Sequence, residues 1–328
     1  MDERELVARL AAGPASGADL ARAAGLTRAA VWKQVQALRA AGLAVEAVPG
    51  RGYALPRPPD LLEEASIRAA LPESCIPELA GLEVAWSLDS TNSELLRRPA
   101  PAAGAAVLLA ERQTGGRGRR GRSWASPLAA NLYLSVSRRY SGGLARLPGL
   151  ALVAGVATAE ALHGLGFTTV GLKWPNDLVV AGPGGALRKL GGLLVEGGGE
   201  AGGPARAVIG LGLNVAMPEG AGAAIGQDWT DLAGLAAGSA PSRNALAAAL
   251  LAHWLPALAR FDAVGLEPFL ARYSPFDVLR GRGVRIEADS GPREGEALGL
   301  APDGALRVRI GGSEQRVHAG EVSVRATR

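Results

Sequence analysis

The residues with most chemistry to offer are cations set among glycines, together with a few neutral hydrogen-bonding side chains. Between Glu111 and Pro127 the chain reads ERQTGGRGRRGRSWASP, with Arg117, Arg119, Arg120 and Arg122 inside six residues. Gly115, Gly116, Gly118 and Gly121 are interleaved with them. Glycine lets backbone approach a ligand closely. Arginine offers a planar fork of donors that matches carboxylate and phosphate oxygens. Such a loop suits an anionic ligand, but equally a solvated basic surface or a nucleic-acid-binding arm.

Three further clusters narrow the chemistry. Ser90-Thr91-Asn92 supplies donors and acceptors without net charge, and is also a helix N-cap sequence. Lys173-Trp174-Pro175-Asn176-Asp177 places a cation, an amide and a carboxylate where a strand gives way to a turn. Lys189 heads the apolar run Leu190–Leu194. Each cluster has an ordinary structural explanation. With Arg117 and Arg119 they describe one site, neutral hydrogen-bonders at one end and cations at the other.

The elements that must position these residues fall into three stretches. Residues 1–58 read as a winged helix-turn-helix. Leu6, Val7 and Leu10 recur at helical spacing, Gly25 breaks the chain, and Thr27 caps a second helix lined by Val31, Val35 and Leu38. Val45–Val48 and Gly52–Leu55 form a small hairpin with Arg51 at its tip. Arg28, Lys33, Gln34 and Gln36 on the second helix are types that contact phosphates and base edges. A protein–protein module with solvated charges is the alternative. Pro56-Arg57-Pro58-Pro59 is a stiff linker.

Residues 59–275 alternate strand and helix signals, predicting a mixed sheet covered by helices on one face. Val107–Ala110 and Leu132–Ser137 are strands on either side of the basic loop. Val170–Trp174, continued by Leu178–Val180, Lys189–Gly197 and Ala207–Val215 are further strands. Gly149–Leu165 and Asn244–Phe261 are the long helices. Residues 276–328 turn to short β runs separated by Asp289-Ser290-Gly291 and Asp303-Gly304, the size of an SH3-like barrel.

Composition sets limits. At 328 residues the chain is too long for one ordinary core. With 48% hydrophobic and 20% charged residues it is globular, not disordered. One cysteine, Cys75, excludes an internal disulfide framework. Three histidines and that cysteine, widely spaced, point away from a zinc site. The net charge of +4 permits a polyanionic partner without requiring one. The start, MDERELVARL, has no signal-peptide core, and Leu147–Leu165 is interrupted by glycines and contains Glu160 and His163. The expectation is a cytoplasmic protein.

Five motifs in order, DSTN (from Asp89), QTGGRGRRGRSW (from Gln113), KWPNDL (from Lys173), KLGGLLVE (from Lys189) and GLGLNV (from Gly210), resemble those of biotin protein ligases. The winged helix, with TRAAVWKQVQALRAAG (from Thr27) and VPGRGYAL (from Val48), resembles the bifunctional class that also represses biotin genes. The resemblance covers essentially the whole chain. It implies a multidomain α+β protein whose central domain is like that of class II synthetases and biotinyl-lipoyl ligases. It also implies ATP-dependent activation of biotin to biotinyl-5′-AMP, with Mg²⁺, and transfer to a lysine of biotin carboxyl carrier protein. By resemblance Ser90, Thr91, Asn92, Gln113, Arg117, Gly118, Arg119 and Lys189 bind biotin. Arg117, Arg119, Arg122, Trp124, Lys173, Asn176, Asn214 and Trp229 bind the adenylate, Trp229 following a Gly/Ala-rich loop from Met217 to Gln227. Lys189, Arg119 and Asp177 carry the chemistry. Thr27, Arg28, Lys33, Gln34 and Arg51 contact operator DNA, and a homodimer forms when biotinyl-AMP is bound. A ligase with a non-regulating winged helix, and a biotin sensor without turnover, are the rival readings. Gly115 and Gly191 stand where the family often has alanine, and are expected to loosen the backbone.

Overall fold

The structure is a computed structural model describing residues 1–141, 143–199, 205–222, 225–236, 241–287, 291–319 and 323–326. Its N-terminal unit is built from capped helices. Asp2 and Glu5 form a capping box on α1 (Glu3–Ala11). Ser16 caps α2 (Gly17–Ala24), and Gly25, at φ 64°, ends it in a left-handed conformation. Thr27 caps α3 (Arg28–Ala40), its Oγ1 accepting the Ala30 N–H at 3.1 Å. Leu6, Val7, Leu10, Leu20, Val31, Val35 and Leu38 close the core of this unit. The wing is an antiparallel pair, β1 (Glu46–Val48) and β2 (Gly52–Ala54), with Val48 opposite Gly52.

After α4 (Glu64–Ala69) the chain builds a seven-stranded mixed sheet. Its strands are β3 (Leu79–Leu88), β4 (Ala105–Gln113), β5 (Leu132–Tyr140), β6 (Val170–Lys173), β7 (Asp177–Ala181), β8 (Leu187–Gly199) and β9 (Ala205–Leu213). The order across the sheet is β3-β4-β5-β9-β8-β7-β6, with only β3 and β4 parallel. α5 (Thr91–Arg97) follows β3, and α6 (Leu150–Gly164) separates β5 from β6. α7 (Leu232–Leu235), α8 (Arg243–Val264) and α9 (Glu267–Tyr273) come after β9.

Two features depart from the pattern expected of the sequence. β7 does not continue β6; it returns antiparallel to it, Lys173 opposite Asp177, around a turn at Trp174-Pro175-Asn176. The sheet also carries helices on both faces. Val107, Leu109 and Ile209 face the main core with α6 and α8, while Leu108 and Val208 meet Leu95 of α5 on the other side. Strand alternation makes both faces apolar where the sheet is covered twice. The window Leu147–Gly164 is long and apolar enough to cross a membrane, but 67% of it is buried inside the protein, as befits a core helix.

The C-terminal unit is an antiparallel sheet of β10 (Gly283–Glu287), β11 (Arg293–Leu300), β12 (Leu306–Ile310), β13 (Ser313–Val317) and β14 (Ser323–Ala326). Its order is β13-β12-β11-β10-β14. Among the described residues the edge strands β13 and β14 do not pair with each other, and the five-stranded antiparallel sheet is consistent with an SH3-like unit. The turn expected at Asp289-Ser290 lies outside the described residues. Val284, Ile286, Leu306 and Val308 belong to the same apolar cluster as the central sheet.

Candidate active site

The site is assembled at one end of the sheet, where β4, β7, β8 and β9 meet the N-terminus of α5. Ser90, in extended conformation, caps α5 by accepting the Ser93 N–H at 3.4 Å. The capping role and a place in the site therefore coexist. Thr91 donates through its N–H and its hydroxyl to Gln113 Oε1, at 2.9 and 3.1 Å. Gln113 Nε2 donates to Ser126 Oγ at 3.3 Å. Asn92 is spent on the protein: its Nδ2 reaches the Leu194 carbonyl at 3.2 Å and Glu196 Oε2 at 2.8 Å, and its Oδ1 accepts from Ser135 Oγ at 2.6 Å. Both amide hydrogens are used, so Asn92 supports the site from beneath. Asp89 anchors the approach, its carboxylate forked on Arg97 at 2.8 Å and its carbonyl accepting the Gly115 N–H at 2.8 Å. The Arg97 guanidinium holds the Asp89 carboxyl well below the usual range.

The basic loop is a small hairpin. Arg117 bridges Ser123, Gly118 N–H donates to the Arg122 carbonyl at 2.7 Å, and Trp124 N–H donates to the Gly116 carbonyl at 2.9 Å. Arg120, at φ 57°, and Gly121 turn its tip. The arginines part company. Arg117 reaches Ser93 Oγ at 2.8 Å and Glu196 at 3.2 Å. Arg119 donates to Asn176 Oδ1 at 3.2 Å and to the Ala319 carbonyl. Burial lowers the Arg119 pKa, opposed by the Asp177 carboxylate, and the group remains a cation. Arg120 and Arg122 are exposed.

Lys189 is aimed by a bulge. Gly191 pairs with Leu178 but Lys189 pairs with Val179, so Leu190 is an extra residue in β8. In regular register Lys189 would face Val180 and the core; a one-residue slip turns it onto the face of Asp177 and Val179. Its Nζ then lies 2.6 Å from Asp177 Oδ1, while Lys173 Nζ stands 3.9 Å from Asp177 Oδ2. Asn176 is fixed by donating to the Leu193 carbonyl at 2.7 Å. Lys189 Nζ also sits 5.5 Å from the centroid of the Trp124 ring.

Sequence reasoning missed a platform of glycines. Gly192 and Gly212 are cross-strand partners, and Leu194 faces Gly210. A Cβ on Gly212 would lie 2.4 Å from Trp124 Cε2, and one on Gly210 would lie 2.3 Å from Asn92 Oδ1. At Gly191 it would meet the Gly212 carbonyl at 2.9 Å, so this glycine serves close packing as well as freedom. The available signal was Gly210 and Gly212 at strand spacing, both on one face. The Trp124 indole N–H above them is buried and meets no acceptor among the described residues, a donor that a ligand oxygen would satisfy.

Trp229 stands beside Lys189 through a parallel bridge: Lys189 N–H donates to the Asp228 carbonyl and Thr230 N–H to the Lys189 carbonyl, each at 2.9 Å. Its ring packs so closely on Gly222 that a Cβ there would lie 2.2 Å away. Asn214 donates to the Thr230 carbonyl at 3.0 Å, stapling this segment to the end of β9. A cavity of about 370 Å³ opens between Arg119, Trp174, Asn176, Leu193, Asp303 and His318. No cluster of three or more His, Cys, Asp or Glu side chains suited to a metal occurs among the described residues. Asp177 is the carboxylate beside the lysines, the donor type magnesium takes when phosphate oxygens supply its other ligands.

On the winged helix, Arg28, Lys33 and Arg51 are exposed, and Thr27 is the cap. Gln34 is half-buried at the edge of the inner face of α3, its Nε2 donating to the Met1 carbonyl at 3.0 Å, because position 34 flanks Leu38 on the helical wheel. The large exposed residue of α3 is Trp32, 53% accessible, which the sequence reading passed over.

Comparison with known proteins places these parts in context. Residues 85–214 match the biotin/lipoate A/B protein ligase family, residues 3–54 an HTH domain family, and residues 280–325 the biotin protein ligase C-terminal domain. The chain is 39% identical over 323 residues to the bifunctional ligase/repressor BirA of Escherichia coli (strain K12), covering 98% of this chain and 97% of that protein. It is 27% identical over 310 residues to that of Bacillus subtilis (strain 168), covering 94% and 93%. Among solved structures it is similar to the biotin protein ligase from Aquifex aeolicus in complex with biotin and ATP. That match has 25% identity and a TM-score of 0.62, covering 76% of this chain and 100% of that one.

Proposed function

The chain belongs to the bifunctional biotin ligase/repressor family, and on that premise we propose a role for each part of the site. The protein activates biotin with ATP, passes it to a lysine of a biotin carboxyl carrier protein, and binds DNA through its helix-turn-helix. The observation that carries this reading is the polarity of the site. Neutral Ser90, Thr91 and Gln113 lie at one end, and Lys189, Lys173 and Asp177 at the other, with the Gly192–Gly212 platform in β8 and β9.

Biotin fits that polarity. Its ureido ring meets Ser90, Thr91 and Gln113, where buried polar atoms need partners. Its apolar body packs against the Trp124 ring that the platform seats, and its carboxylate reaches Lys189. That carboxylate oxygen attacks the α-phosphorus of ATP, the P–O bond to pyrophosphate breaks, and biotinyl-5′-AMP forms. Arg117, Arg119 and Lys189 offset the charge that gathers on the phosphate oxygens, and the Gly118 N–H holds the loop hairpin that carries the arginines. Arg122, Lys173, Asn176 and the Trp124 and Trp229 rings hold the nucleotide. Asn92 and Asn214, their amides already committed, act as supports. Asp177 is the carboxylate that would hold magnesium together with the phosphates, where the ion would supply further charge neutralisation.

In the second step the neutral amine of the carrier lysine attacks the anhydride carbonyl, the C–O bond to AMP breaks, and the amine's proton leaves with the AMP phosphate or to water. Asp177 at 2.6 Å from Lys189 supports an orienting role for that carboxylate, ahead of a role as proton acceptor. Bound biotinyl-AMP, covered by the basic loop, favours a homodimer that sets two winged helices on a palindromic operator. By linkage, ligand that favours the dimer favours DNA. Thr27, Arg28, Lys33 and Arg51 form the DNA face of the first of three units, near 1–58, 59–275 and 276–328. We place the protein in the cytoplasm, where its carrier and operator reside. The test is biotin-dependent exchange of labelled pyrophosphate into ATP. Exchange is expected with biotin and Mg-ATP alone; its absence from a folded protein would overturn the reading.

A further inference from the structure

Arg243 touches none of the groups assigned above, yet it and Glu111 form the most enclosed ion pair of the described residues, each side chain 3% exposed. Arg243 Nη2 donates to Glu111 Oε2 at 2.7 Å, Nη1 to the Asp60 carbonyl at 2.8 Å, and Nε to the Asn131 carbonyl at 3.1 Å. Glu111 Oε1 accepts the Leu62 N–H, and Asp60 accepts the Arg243 N–H. A buried pair loses two hydration shells, and a well-packed apolar replacement often does as well for stability. What the pair supplies is a fixed geometry among the segments it joins.

Those segments are the two feet of the basic loop and the linker from the winged helix. Glu111 is the loop's first foot, two residues before Gln113. Its carbonyl accepts the Ala129 N–H at 3.0 Å, which closes the second foot two residues before Asn131. Asn131 Oδ1 accepts the Val215 N–H at 2.9 Å, tying in the end of the GLGLNV strand. Asp60 and Leu62 directly follow the proline-rich linker and fix its far end. Between the feet, Leu128 N–H donates to the Ala41 carbonyl at 2.7 Å, at the end of α3, and Leu128 is buried in the winged-helix core.

We propose that Arg243 and Glu111 are positioning residues that set biotin affinity from outside the pocket, by clamping both feet of the loop against the linker. The inference rests on the assignment of Gln113 to biotin. The loop's other contacts define what should change. Arg117 is held independently by Ser93 and Glu196, and Arg119 by Asn176 and Ala319. Gln113, two residues along β4 from Glu111, is the biotin-site residue closest to the clamp in sequence. Loss of the pair should therefore move biotin binding and leave the chemical step in place.

The experiment is calorimetric titration of the full-length protein with biotin, alongside kcat and KM for biotin and ATP. It compares wild type, Glu111→Gln, and the paired apolar swap Glu111→Leu with Arg243→Met, each checked for cooperative thermal unfolding. In both variants the Kd and KM for biotin should rise by about tenfold, the scale of a small misplacement of a binding group. The kcat and the KM for ATP should stay within about twofold. A pair that only stabilised the fold would lower the active fraction, and so kcat, and leave the KM for biotin alone. The proposal is overturned if either folded variant binds biotin as wild type does, or if kcat falls with the KM for biotin unchanged. Wild type that binds no biotin would instead overturn the reading of the site, and this inference with it.

Discussion

The winged helix and the central site both present cations, but they hold them in opposite ways. Arg28, Lys33 and Arg51 are exposed and pair with no carboxylate among the described residues. Lys189, Lys173 and Arg117 are each tied to a carboxylate, and Arg119 to Asn176 and a backbone carbonyl. A phosphate backbone is met by charges that need only be present near the surface, because much of the attraction is counterion release. A reacting phosphate needs charge already in position, since any reorganisation adds to the barrier. The difference separates two anion-binding surfaces in one chain that composition alone makes alike.

That contrast breaks first at Lys189. Lys189→Ala is expected to slow adenylate formation by at least about 10²-fold, while ligand-free affinity for duplex DNA stays unchanged in a gel-shift. Lys189→Arg should also be severe, because the bulge at Leu190 aims a compact ammonium and not a planar fork. Next comes the platform. Gly212→Val places side-chain atoms where the Trp124 ring lies, 2.4 Å from a Cβ, and should weaken biotin binding by about 10²-fold in titration calorimetry. Asp177→Asn tests the orienting role: single-turnover rates of adenylation and transfer should fall together, and loss confined to transfer would make Asp177 the proton acceptor. The smallest effects belong to the winged helix. Lys33→Ala should weaken binding to every duplex and reduce the salt slope by about 1. Gln34→Ala should leave DNA affinity unchanged, since its amide is spent on Met1; a sequence-dependent loss would restore it to the DNA face.

How much of this could be read from sequence follows the same division. Caps and wing were legible because local chemistry sets them: Thr27 caps α3, Gly25 ends α2, and Pro49-Gly50-Arg51 turns the hairpin. The cations and neutral hydrogen-bonders were legible as residue types in order. Their partners were not. The Lys189–Asp177 contact depends on a bulge, which leaves no trace in hydrophobic pattern when the extra residue, Leu190, is itself apolar. The hairpin between β6 and β7 was hidden because both strands are apolar and the turn is short. Gly192, Gly210 and Gly212 were masked by a chain with 46 glycines, in which any one looks like background. Trp32 was passed over because it is apolar, although it stands on the outer side of α3, and the bond from Gln34 to the Met1 carbonyl, across more than thirty residues, has no local signature. The Arg243–Glu111 pair spans more than a hundred residues and has no local signature.

The central claim is that one chain activates biotin and delivers it to a carrier. It is tested most directly by incubating the protein with biotin, Mg-ATP and a purified carrier domain, and measuring the mass of the domain. The account predicts a gain of one biotinyl group on a single lysine with wild type, and none with Lys189→Ala. An unmodified carrier domain after incubation with folded wild-type protein, or equal modification by Lys189→Ala, would contradict it.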